Sequence, residues 1–226
     1  MGSLPKYVLR MVKGGIIRYL SHQETSTAIE RTLRRAKLPL SFTKGYHPHI
    51  KLSYLPAVLT GVATAAIYMT IETESPVTDI TERISKAAPF GISLLKVWEV
   101  DEKFDLRSVA DSYQYFLFLP KNCFDPSRFS EATEITKQTK KSRKIFLAKE
   151  TYQHLSVSAL RNYFMVKYFQ PMDKSLSYQH LIKIMSKEKS LSEKGIYVFV
   201  LEAYKDGVPT SNILDYIGGK KHVRSQ

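Results

Sequence analysis

The chain has 226 residues, 43% hydrophobic and 24% charged, an ordinary balance for a folded protein. Its 34 Lys and Arg outweigh 21 Asp and Glu for a formal charge of +13, which points to a polyanionic partner. One cysteine, Cys123, excludes an internal disulfide and a cysteine-rich zinc or iron–sulfur site, and no apolar run approaches the roughly 20 residues of a membrane span.

In chain order, Tyr7 to Val12 reads as a strand and Lys13-Gly14-Gly15 as a turn leading to Ile16-Ile17-Arg18-Tyr19. Ser21, with Glu24 three residues on, forms a Ser-x-x-Glu capping box that starts a helix. Thr25, Ala28, Ile29, Thr32, Leu33 and Ala36 make its inward stripe, Arg31, Arg34, Arg35 and Lys37 its other side, and Leu38-Pro39 ends it. Leu40 to Thr43 and Ile50 to Leu55 read as extended, and Ala66 to Glu72 as a strand. Thr78-Asp79 opens a second helix with Ile80 and Ile84 inward, Pro89-Phe90-Gly91 stops it, and Ile92 to Val100 is strand-like. Strand, helix, strand, strand, helix, strand is the split βαβ order.

Asp101 to Val109 reads as a linker between subdomains at 1–100 and 110–226. Beyond it, Tyr113 to Leu119 is a strand, and Asp125-Pro126 opens a short helix near Phe129. Glu134 to Phe169 holds β segments that include Lys144 to Ala148 and Asn162 to Phe169. Ser175 or Ser177 caps a helix with Leu181, Ile182 and Met185 inward. Ile196 to Ala203 is apolar on both faces, as in a central strand, and the Gly218-Gly219-Lys220-Lys221-His222 tail is expected to fray. The expected class is therefore α+β: two tandem ferredoxin-like (βαββαβ) subdomains with antiparallel sheets.

Charge is unevenly spread. Residues 1–53 hold ten Lys and Arg against Glu24 and Glu30 alone, and Lys137-x-x-Lys140-Lys141-x-Arg143-Lys144 is a second basic run. Three of the six histidines, His22, His47 and His49, fall in the first basic stretch.

Three segments of that stretch carry a resemblance: Tyr19-Leu20-Ser21-His22, Glu30 through Leu40 (E-R-T-L-R-R-A-K-L-P-L), and Gly45 through Ser53 (G-Y-H-P-H-I-K-L-S). They resemble the radical-SAM-linked protein family, an uncharacterised bacterial domain adjacent or fused to radical S-adenosylmethionine proteins. Thr139 through Lys144 extends the likeness more weakly. The resemblance implies a radical SAM partner carrying the S-adenosylmethionine and the iron–sulfur cluster, with no cofactor in this chain. Where the family pattern has acids, this sequence has Thr64 or Ala65 and Thr70, which puts carboxylate-dependent chemistry in doubt.

The candidate ligand-binding residues are Ser21, His22, Arg31, Arg34, Arg35, Lys44, Gly45, Tyr46, His47, His49 and Lys51, with Lys140, Lys141, Arg143 and Lys144 as a secondary basic patch. A helix N-terminus near His22 favours an anion, and arginine forks with lysine point charges suit phosphate. Gly45 reads as a structural turn, and Tyr46 and Tyr54 as base-stacking or core residues. His47 and His49, two apart in an extended path, can face one ligand. With His22 they offer three imidazoles, but His-x-His spacing alone is a weak metal signal, so no metal is expected.

No P-loop, Rossmann glycine pattern, nucleophile elbow or His-Glu-x-x-His motif is present. The expectation is a cytoplasmic, non-membrane accessory protein that binds RNA or another phosphorylated anion for a radical SAM partner. The alternatives are a metal-independent endoribonuclease using histidine acid–base catalysis, and a protein-docking adaptor.

Overall fold

The computed structural model describes residues 4–138, 143–174, 176–188 and 195–224. They group into two compact units: one runs up to Asp111 and takes in Glu202 onward, and the other is Ser112–Leu201. The whole is a mixed α+β protein with mostly antiparallel strand pairing.

The first unit begins with β1 (Lys6–Lys13), a 3-10 turn (Gly15–Tyr19), and α1 (His22–Arg35). β2 (Leu52–Tyr54), β3 (Ala63–Glu72), α2 (Ile80–Ala87) and β4 (Ile92–Val100) follow. β1 lies between β4 and β3, antiparallel to both, and β2 pairs with β3. Arg10 faces Lys96 while Met11 faces Leu94, so Leu95 is an extra residue that bulges β4.

One face of this sheet forms the main core. Leu9 and Met11 of β1 and Met69 and Ile71 of β3 pack under Ile29 and Leu33 of α1 and Ile80 and Ile84 of α2. The period-2 alternation of the strands and the i, i+4 spacing of the helices place these side chains on facing surfaces. Thr25, Thr32 and Ala36 complete the buried stripe of α1.

In the second unit come β5 (Ser112–Pro120), β6 (Glu134–Gln138), β7 (Arg143–Leu147), α3 (Ala148–Thr151), β8 (Gln153–Ala159), β9 (Tyr163–Pro171) and α4 (Tyr178–Met185). β5 and β8 flank β9, both antiparallel to it, and β6 and β7 form a separate hairpin. Ser177 caps α4 by accepting the Gln179 N–H at 3.1 Å; Ser175, the other candidate cap, lies outside the described residues. The core is aromatic: Tyr115 stacks on Tyr168 at 5.1 Å, and Tyr152 meets Tyr168 edge-on at the same distance.

β10 (Tyr197–Lys205) crosses from residues of the second unit to residues of the first, and β11 (Val208–Pro209) and α5 (Thr210–Arg224) end the chain. α5 runs helical to Arg224, through the segment expected to fray, and its side-chain anchors lie at or before the start of that segment. Asp215 accepts the Trp98 indole N–H at 2.7 Å and pairs with Lys96 at 2.6 Å, Leu214 is fully buried, and Gly218 lies against Trp98. A Cβ on Gly218 would meet the Trp98 ring at 3.6 Å, an ordinary van der Waals contact, so the packing itself does not demand glycine here.

Candidate functional site

The start of α1 is a complete capping box. The Ser21 hydroxyl accepts the Glu24 N–H at 3.2 Å, and the Glu24 carboxylate accepts the Ser21 N–H at 2.8 Å. Those bonds hold the Glu24 carboxyl below the usual carboxylate range. The positive end of the helix thus has a resident anion, and Ser21 is engaged in the cap. His22 is exposed and sets its ring edge-on to Tyr54 at 5.8 Å. Burial pushes the Tyr54 hydroxyl up to about 12; it lies near Ser26 yet has no hydrogen bond of normal geometry.

Beneath this turn lies Lys13, which its sequence assigns to a turn but which ends β1 as a buried residue. Lys13 is 3% exposed, and its ammonium donates to the Leu20 carbonyl at 3.2 Å and to the Thr25 hydroxyl at 3.5 Å. It has no carboxylate partner among the described residues, and desolvation lowers its pKa. Its signal in the sequence was a lysine in register with the core positions Leu9 and Met11 of β1.

The outward side of α1 carries Arg31, Arg34 and Arg35, all exposed and none ion-paired among the described residues. The Arg34 guanidinium lies 5.3 Å from the centre of the Phe42 ring, a cation–π contact. Arg35 donates to the Thr32 hydroxyl at 3.4 Å.

Phe42 and Ile50 bridge the base of a loop, closed by the Thr43 N–H to the His49 carbonyl at 2.8 Å and the His49 N–H to the Thr43 hydroxyl at 3.0 Å. Gly45 takes φ +142, a conformation that L side chains rarely adopt. Lys44, Tyr46, His47 and His49 are exposed at the loop; Tyr46, 95% exposed, meets His47 edge-on at 4.9 Å. His22 and His47 therefore have different ring partners, and no group of three His, Cys, Asp or Glu is placed for a metal among the described residues.

Lys51 pairs with Glu72 at 3.0 Å, so its charge is already met. Ser53 and Thr70 hydrogen-bond at 2.8 Å, so the Thr70 hydroxyl has a partner of its own. Thr64 is buried and accepts the Ala66 N–H at 3.0 Å. Of the secondary patch, Arg143 and Lys144 begin β7, exposed, with Lys144 in register with Lys137; Lys140 and Lys141 lie outside the described residues. Like charges placed opposite each other disfavour a hairpin modestly.

The opposite sheet face holds a network that sequence reasoning missed. Glu202 accepts from Tyr68 at 2.5 Å, Ser211 at 2.6 Å and the Ala203 N–H at 2.9 Å, and it pairs with Arg10 at 2.9 Å. Arg10 also donates to the Ala65 carbonyl at 2.8 Å. Burial, then the Glu202 charge, raises the Tyr68 pKa strongly. With its carboxylate oxygens engaged in this way, Glu202 works as a strut.

These features define a mixed α+β protein with mostly antiparallel strands and an exposed cationic helix face next to an aromatic–imidazole loop. The chain belongs to a family of uncharacterised proteins conserved in bacteria (DUF2344), whose model matches residues 6–190. The match takes in α1, the 43–49 loop and the β6–β7 hairpin. No curated protein matches the chain. No helix among the described residues is long and apolar enough to cross a membrane.

Proposed function

We propose that this chain is a non-redox binding module that holds RNA, or another phosphorylated anion, on the outer face of α1 and the 43–49 loop. The observation that carries this reading is the contrast in charge pairing. Lys51 and Lys96 each meet a carboxylate from a distant part of the chain, whereas Arg31, Arg34, Arg35 and Lys44 meet none among the described residues. Guanidinium forks without acids favour phosphate oxygens, and the exposed Tyr46 ring offers a base a face to stack on. The strand order β4-β1-β3, with β2 on β3, supports a ferredoxin-like reading of the first unit. For the second unit, the antiparallel set β5-β9-β8 supports only a looser version of it.

The radical SAM partner rests on the resemblance of the Ser21-His22 and Gly45–Ser53 segments. In that setting this chain presents the substrate and the partner supplies the redox chemistry.

Binding of a labelled single-stranded RNA at low salt tests the reading. Affinity should fall steeply with salt as counterions are released. Arg31→Glu with Arg34→Glu should weaken it at least about tenfold, as loss of several phosphate contacts requires. Tyr46→Ala should cost about 1–3 kcal/mol if a base stacks there. A wild-type protein that binds no RNA at low salt would end the proposal.

A further inference from the structure

Where α1 and α2 both end, the first unit has an open groove of about 740 Å³. Four cations rim it, Arg35 and Lys37 from the α1 side and Arg83 and Lys86 from α2, and no acid lines it among the described residues. Ala36, Ala87, Ala88 and Pro89 make a floor of small side chains.

Three details set the field in this groove. Arg83 pairs with Asp79 at 2.8 Å and Lys86 with Glu82 at 2.5 Å, but both are exposed i, i+4 pairs on α2, the kind a competing polyanion displaces readily. Arg83 also reaches across to donate to the Lys37 carbonyl at 3.2 Å, which ties the two helix ends together and satisfies a terminal carbonyl. Lys37 itself has φ +52, the left-handed position just past a helix end where glycine is the usual residue. A lysine there costs conformational energy that glycine would not, and it places at the groove rim an ammonium with no carboxylate partner among the described residues.

We infer that this groove is a track for the sugar–phosphate backbone of single-stranded RNA, with Arg35, Lys37, Arg83 and Lys86 contacting successive phosphates. It extends the proposed RNA-binding face and rests on that reading. The floor has no aromatic side chain to stack a base, so the track reads charge and not sequence. Arg34 links it to the loop: it neighbours Arg35 in α1, and its guanidinium lies over Phe42 at the loop base, from which Tyr46 projects. A strand in the groove therefore has a stacking platform further along its path. An acidic peptide would find the same charge but no use for that platform.

The test uses the full chain carrying Arg35→Gln, Lys37→Gly and Lys86→Gln, with Arg83 kept because it joins the helix ends. Glycine suits φ +52, so Lys37→Gly removes charge without threatening the helix end. Titrations with fluorescent oligo(U) and oligo(A) across a salt series should show weaker binding of both by a similar factor. Each lost phosphate contact lowers the log–log salt slope by about 0.7, so the triple variant should lose about two units of slope. An unchanged slope overturns the groove while the proposed function stands. Wild-type protein that binds neither oligomer overturns both. Polyglutamate competing as well as oligo(U) at equal charge would reassign the groove to acidic peptide and overturn the RNA track.

Discussion

Lys13 joins local chemistry to a measurable property of the fold. Among the described residues its buried ammonium meets only a carbonyl and a hydroxyl, and its pKa is pulled below the ordinary 10.5. Below the folded-state pKa both native and unfolded chains carry the proton, and the burial penalty is present in full. Between that pKa and 10.5 the native state sheds the proton while the unfolded state keeps it, so stability rises with pH. Above about pH 10 buried tyrosines such as Tyr68 act in the opposite sense, because only the unfolded state ionises them. The urea midpoint should therefore climb with pH on the alkaline side below 10, and Lys13→Met should flatten the climb. A variant with the wild-type slope would clear Lys13 of the effect. The capping box was legible from Ser21 and Glu24, since it is written within four residues; Ser21→Ala should cost about 1 kcal/mol in chemical denaturation. The His22 ring meets Tyr54 only because the chain folds back, whereas His47 meets its own neighbour Tyr46, and the placement of Lys13 was recoverable only from its register in β1.

Elements with a strong period were readable, and those held by distant polar contacts were not. β4 spans Ile92–Val100 as its alternation implies, and the α1 stripe is buried where the i, i+4 spacing places it. Before its Gly-Gly pair, which reads as a stop, α5 has only Ile213, Leu214 and Ile217 as branched apolar residues. What holds it is the Asp215 carboxylate on Trp98, 117 positions away, and Ser211 on Glu202. Glu202 is the centre of that attachment. Removing it takes a carboxylate at 2.9 Å from Arg10, whose side chain is only 17% exposed, and deprives the Tyr68 and Ser211 hydroxyls of that acceptor. Glu202→Ala should therefore destabilise the first unit by about 3–5 kcal/mol, read from the unfolding midpoint followed by Trp98 fluorescence. A loss within 1 kcal/mol would mean that solvent reaches Arg10 and that the strut reading is wrong. The exposed arginines of α1 were legible as a charged face; that they meet no acid among the described residues depends on tertiary placement.

At the scale of the molecule, the first unit is discontinuous in sequence. Its chain leaves at Asp111 and resumes at Glu202, and the long-range bonds of Tyr68 to Glu202 and of Thr210 to the Val109 carbonyl close it. No composition shift or linker signal marks that return, because a strand such as β10 looks alike whichever unit its ends serve. A chain stopped after Leu201 should lose the cooperative Trp98 transition while retaining strand signal from residues 112–201, as measured by fluorescence and far-ultraviolet circular dichroism. An intact Trp98 transition in the truncated protein would show that the C-terminal segment is dispensable.

The Glu202 strut also has a consequence in time. On the ribosome, residues 112–201 all emerge before the carboxylate that neutralises Arg10 exists. The earlier-made segment must wait, its sheet face lacking α5, while the later-made one has its full complement of residues. Synthesis therefore favours finishing the second unit before the first, the reverse of their order of translation.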